Sequence, residues 1–217
     1  MPVPQELADL TYAGYLEPFA GQLAREEEYS EIHFSDMEFD DCIAANGRFT
    51  ESAFTSVAFT NGTFGRTRLS NVWLSRTRWV GTDLTETNWL DAVFLDSFFA
   101  GVEAYGAKLR SVTFQECKVD TLHLRSATLQ DVVFDRCDLG EVDFGEASLT
   151  NVTFPGSRLR RARFVKATLK KVDFRGAAEL DVTGECESLR GSVIDSGQLA
   201  ELAPALAHTL GIIVKDR

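Results

Sequence analysis

From Phe34 to Phe174, every residue whose number ends in 4 or 9 is Phe, Leu, Trp, Val or Ala. The apolar position therefore recurs every five residues, through 29 positions between 34 and 174. Two residues before it the chain is mostly small or β-branched, as at Ala92, Val102, Ala107, Val112, Cys117 and Ala127. Neither a 3.6-residue helix nor a two-residue strand makes a period of five. A period this strict predicts stacked structural repeats.

A second period sets the shape. The column Phe34, Phe54, Leu74, Phe94, Phe114, Phe134, Phe154, Phe174 repeats at twenty and is nearly all Phe. The column Phe49, Leu69, Trp89, Leu109, Leu129, Leu149, Leu169 is mostly Leu. Residues twenty apart thus share one environment. Four five-residue sides per turn satisfy both periods. The expectation is an all-β solenoid over residues 31–180, a quadrilateral parallel β-helix of about seven coils, ~4.8 Å apart.

The ends fall outside this register. Residues 1–30 are expected to form an N-terminal arm or cap of one or two short α-helices, broken at Pro18. Its alternative is an arm that docks a partner. Residues 181–217 read as a partial coil, then a helix capped by Ser196 at its start and Gly211 at its end, then an extended tail. Leu199, Leu202, Leu206 and Leu210 share one helix face. Pro204 is expected to kink this helix or end a first short one.

The segments "SATLQ", "EASLT" and "KATLK" resemble the pentapeptide-repeat family, in which a small residue and a central Leu or Phe point inward. The resemblance implies a right-handed coil. It also implies two readings of the C-terminal helix: a cap folded on its own coil, or a contact that makes a homodimer through Leu199, Leu202, Leu206 and Leu210. One branch of that family resembles B-form DNA in width and charge. It binds type II topoisomerase (DNA gyrase) and gives fluoroquinolone or toxin resistance.

Charge changes the picture further. The formal net charge is −11, a poor match to nucleic acid as a direct partner and a better one to a basic protein surface. Residues 1–65 hold twelve acids and two bases, whereas residues 147–175 hold one acid and eight bases. The twenty-residue rule stacks Asp138 on Arg158, Glu141 on Arg161, Asp143 on Arg163, Glu146 on Lys166, Glu116 on Arg136 and Arg66 on Glu86. That pairing argues against a continuous acidic stripe. The early acids have no such neighbours, so Glu38, Asp40 and Asp41 are candidate contact residues. Outward apolar residues in the middle coils are candidates too: Trp73, Leu95, Phe98 and Tyr105, with Val80 and Leu90. The other reading is that the N-terminal segment covers them.

Candidate chemistry is sparse. His33, His123 and His208 are far apart, and Cys42, Cys117 and Cys137 occupy small inward positions. No phosphate loop, HExxH or GxSxG occurs, and a filled coil leaves no pocket. No enzyme, metal or cofactor is expected. No Cys-x-x-Cys pair, signal core or apolar run of membrane-spanning length is present, which fits a reduced cytoplasm and no membrane partner. Three functions remain: a protein-binding module, an acidic gyrase-binding DNA mimic, and a self-assembling rod.

Overall fold

The computed structural model describes residues 3–183 and 186–215. Its centre is a parallel β-solenoid. One ladder runs unbroken up a single side: His33, Ala53, Trp73, Val93, Thr113, Val133, Thr153, Asp173 and Val193 pair in succession. Each step is twenty residues, and eight steps separate its ends, so the rod holds about eight coils. It begins before residue 31, because Glu28–Ser30 already stacks on Arg48–Thr50. It passes residue 180, because Ser192–Val193 stacks on Val172–Asp173. These end strands account for the coil beyond the seven expected.

The four sides are numbered here from the columns headed by Phe34, Phe39, Ala44 and Phe49. Sides four and one belong to one sheet, and sides two and three to the other. Early coils have three-residue strands broken at every corner. From Lys108–Gln115 onward, strands of six or eight residues run through a corner. The central residues fill the interior completely. Phe94, Phe114, Phe134 and Phe154 stack face to face, with centroids 5.0, 4.8 and 5.2 Å apart. Close-packed rings at every level leave no internal cavity of ligand size.

The small inward position is often a hydroxyl. Ser52, Thr67, Thr77, Thr82, Thr87, Ser97 and Ser157 are buried. Each hydroxyl is satisfied from within the coil, as where Thr67 Oγ1 donates to the Ala44 carbonyl at 2.9 Å and Ser157 Oγ to the Phe134 carbonyl at 2.8 Å. A buried hydroxyl without such a partner would cost about 1–3 kcal/mol.

Neither end matches its expectation fully. No α-helix forms among the described N-terminal residues. Two 3-10 turns, Leu7–Asp9 and Ala13–Tyr15, are followed by an extended segment. Pro18 does not break a helix; it lies in the strand Glu17–Pro18, which pairs with Ile32 and His33. There its missing N–H and fixed φ fit an edge position. Phe19 then stacks on Phe34 at 4.4 Å and closes that corner of the core.

At the other end Ser196–Thr209 is a single α-helix with Pro204 inside it. Asp195, one residue before the expected Ser196, is the N-cap: its carboxylate accepts from the Gln198 amide at 2.9 Å. Gly211 takes φ +68°, the left-handed position that follows a helix end. The helix folds onto its own coil. Gln198 is buried and donates to the Phe174 carbonyl at 2.7 Å, and Leu202 packs into the core.

Candidate interaction surfaces

Register decides what lies outside. In each five-residue side the residues before and after the central one face outward, and the next turns the corner. The apolar candidates Trp73, Leu95, Val80, Phe98, Tyr105 and Leu90 therefore distribute over all four sides. They form no common patch. Trp73 and Leu95 share side one, but they are only 4% and 5% exposed. The N-terminal arm lies over them: Leu10 and Tyr12 pack with Ala53, Trp73 and Leu95, supported by Val3, Leu7 and Leu16. Trp73 Nε1 donates to the Pro4 carbonyl at 3.1 Å. These two are thus removed from the exposed candidates, because the arm's own apolar side chains bury them. Burial also pushes the Tyr12 phenol well above its usual range.

Phe98 is half-buried on side two, flanked by Arg78 and Lys118 at 5.1 and 5.7 Å from its ring centroid. Tyr105 lies on side three, its ring parallel to that of His123 at 5.9 Å. Glu38, Asp40 and Asp41 are exposed on side two of the first coil, beside half-buried Phe39. Of the four helix leucines, Leu202 and Leu206 face the solenoid, while Leu199 and Leu210 are 50% and 72% exposed. They do not present one common face outward.

The charge pairing is partly as the twenty-residue rule dictates. Arg161 meets Glu141, Arg136 meets Glu116 at 2.8 Å, and Arg66 approaches Glu86 at 4.0 Å. The other three acids take other bases. Asp138 pairs with Arg160 at 3.0 Å, and Arg125 reaches both Asp143 at 3.6 Å and Glu146 at 3.0 Å. The ladder fixes Cα neighbours, but a guanidinium is long enough to choose a diagonal partner.

One corner of the surface carries acids that the pairing rule leaves without a basic neighbour. At the corner between sides four and one stand Glu31, Glu51, Asn71, Asp91, Ser111, Asp131 and Asn151, all with φ between 47° and 57°. Four acids occupy these seven levels, with Asn71, Ser111 and Asn151 at the others, and Lys171 follows at the eighth. None of the four acids has an ion-pair partner among the described residues. Asn151 donates to Asp131 at 2.6 Å, and this bond, then one from Gln130, holds the Asp131 carboxyl below its usual range. The corner is thus acid-rich but not a continuous acidic stripe: Asn71 and Ser111 interrupt it, and Lys171 closes it. The pattern is legible in the sequence at every twentieth residue from 31.

Among the described residues no thiol is activated. Burial pushes the Cys42 thiol up to about 11, and burial, then Cys137, pushes that of Cys117 up. Cys117 and Cys137 donate weakly to the carbonyls of Phe94 and Phe114. Among the described residues no group of three or more His, Cys, Asp or Glu is placed to hold a metal ion. No helix among them is long and apolar enough to cross a membrane.

A family model described as "Pentapeptide repeat region" matches residues 47–124 and 89–160. No curated protein matches the sequence. Among solved structures, QnrB1, a plasmid-mediated fluoroquinolone resistance protein, is similar at 16% identity with a TM-score of 0.42, covering 87% of this chain and 100% of its own. HetL of Nostoc sp. strain PCC 7120, involved in heterocyst differentiation regulation, is 16% identical with a TM-score of 0.35, covering 82% and 93%. Rfr23 of Cyanothece 51142 is 12% identical with a TM-score of 0.28, covering 73% and 91%. With five-residue sides stacked in a twenty-residue register and the family model spanning more than half its length, this chain belongs to the pentapeptide-repeat family.

Proposed function

We propose that the protein is a non-catalytic scaffold that recognises another protein with the outside of its solenoid. The observation that carries this reading is the filled interior. Phe and Leu columns occupy every level, so recognition is left to the outer sides and corners. The three segments are its working parts: an arm before residue 31, the coil body, and a helix-bearing end after residue 180. If this is right, an outward change such as Tyr105→Glu or Phe98→Glu abolishes capture of the partner, whereas the inward Phe134→Leu leaves it intact. Equal loss from inner and outer changes would sink the reading.

A second reading is favoured by the acidic corner. Glu31, Glu51, Asp91 and Asp131 follow one corner of the rod, with Asn71 and Ser111 between them. They support an acidic mimic of DNA that binds gyrase. A supercoiling assay across a salt series tests it, because exposed charge is screened within about 10 Å at 0.1 M salt. Inhibition that fades with salt and disappears in E51K/D91K/D131K is the expected result. Inhibition unchanged by these reversals, or none at tens of micromolar protein, rules the mimic out. The C-terminal helix is the proposed dimer contact in either reading. Leu199 and Leu210 are the residues free to make it, and Leu199→Glu would then convert dimer to monomer in sedimentation.

A further inference from the structure

At the start of the rod the chain treats the edges of sides one and two differently. On side one the edge is covered by the chain itself. Glu17 donates to the Glu31 carbonyl at 2.8 Å, Phe19 donates to the His33 carbonyl at 2.9 Å, and the Phe19 ring lies over Phe34. On side two the strand Glu38–Asp40 is the last strand of its sheet. The chain does not continue over it. After Phe19 it cuts across the core, burying Leu23, and reaches side four, where the Ala24 amide donates to the Tyr29 hydroxyl at 2.8 Å.

The register shows which backbone groups this leaves open. The amide of Asp41 donates to Thr60, and the carbonyl of Met37 accepts from Ala58, so the odd-numbered residues face the second coil. By alternation, the N–H and C=O of Glu38 and Asp40 face away from it. Beside them runs a groove of about 550 Å³ between Gly21–Leu23 and Glu38–Ile43. Leu23 and Phe39 line its floor, and Glu38, Asp40 and Asp41 its outer rim.

We propose that this open edge is a binding site for an extended basic segment of a partner protein, added as one more parallel strand. The chain's own Glu17–Phe19 segment is the template for how such a strand sits. In that register a central apolar residue lies over Phe39, as Phe19 lies over Phe34. The residues on either side of it face outward, next to Glu38 and Asp40. The preferred sequence is therefore Arg or Lys, an apolar residue, then Arg or Lys. Charge decides against a second copy of this strand, which would place acid on acid. The proposal deepens the protein-binding reading and rests on it.

The test uses the full chain and a fluorescein-labelled peptide, Ser-Gly-Arg-Leu-Arg-Gly-Ser, followed by anisotropy at low salt. One-to-one saturable binding is expected, with NMR shifts confined to residues 21–23 and 38–43. Three changes should each weaken it by on the order of tenfold. The first is E38K/D40K. The second is Asp40→Pro, which deletes an edge N–H that no internal bond uses. The third is N-methylation of the peptide's leucine, which blocks its bond to the Glu38 carbonyl and leaves the protein untouched. An N-methylated peptide that binds as well as the parent overturns strand addition. So does a peptide that binds E38K/D40K equally, or no saturable binding at millimolar peptide. Outer-face variants that still abolish partner capture after such a failure would confine it to this edge and spare the wider reading.

Discussion

Nearly every corner of the coil places one residue in the left-handed region. Among the described residues 24 non-glycine residues do so, with φ between 47° and 61°, and all have numbers ending in 1 or 6. Each costs about 1–2 kcal/mol relative to a right-handed conformation. The cost is offset where the corner amide then donates to a carbonyl nineteen residues on, as Glu31 does to Thr50 and Asp91 to Arg110. Asp, Asn, Ser, Glu, Arg, Lys and Gly fill these positions, and β-branched residues do not. Thr121 and Glu141 are the two exceptions by number; both lie outside the left-handed region, in the strands Lys118–His123 and Asp138–Asp143. Ser111→Val, exposed at φ 54°, should therefore lower unfolding free energy by about 1–2 kcal/mol, and Thr121→Val by less than about 0.5 kcal/mol, in urea titrations. Equal effects would show that corner φ does not govern the choice. A second prediction concerns His33, whose Nε2 lies 3.0 Å from Thr55 Oγ1. Burial lowers its pKa, against the smaller opposing effect of Asp36. The neutral form is thus favoured on folding, and the unfolded state takes up the proton first. The contribution to stability is complete above the unfolded pKa of about 6.5 and is lost as pH falls through the lower folded value. His33→Gln should lose less melting temperature than the parent between pH 7 and pH 5.

At the scale of elements, strand positions and side assignments follow directly from the five and twenty periods, because one inward residue per side is a strong and repeated signal. The ends were less legible. The arm's pattern of Leu7, Leu10, Tyr15 and Leu16 looks amphipathic, yet its partner is the flat outer side of a sheet. There an irregular segment with two 3-10 turns buries Leu10 and Tyr12 as well as a helix would. Pro204 was expected to interrupt the last helix. Its lost hydrogen bond is tolerated because Gln198 and Leu202, on the turns before it, anchor the helix to the final coil. Deleting residues 1–16 should shift tryptophan emission to the red, because Trp73 loses its cover while Trp79 and Trp89 stay inside the coil. An unchanged spectrum would mean that the arm does not seal side one in solution.

At the scale of the whole molecule, charge is arranged by side and level, which totals per segment conceal. The basic run at 158–171 is held by the acids of the coil below and by Glu179 above, through Arg160 and Arg161. Among the acids without an ion-pair partner in the described residues are those of the corner headed by Glu31 and those at the open end near Glu38. Candidate residues were legible one by one, since the register assigns each an inward or outward direction. Their grouping was not, because six apolar positions on four different sides look contiguous when read along the chain. The central claim, that the outside of the rod does the recognising, is tested most directly by photo-crosslinking in the cell. A benzophenone amino acid would be placed in turn at Val133, Phe98, Tyr105 and Leu90, one outward position on each side. The account predicts a discrete adduct with a single protein from one side or two adjacent sides. Adducts from none of the four, or equal adducts from all, would contradict it.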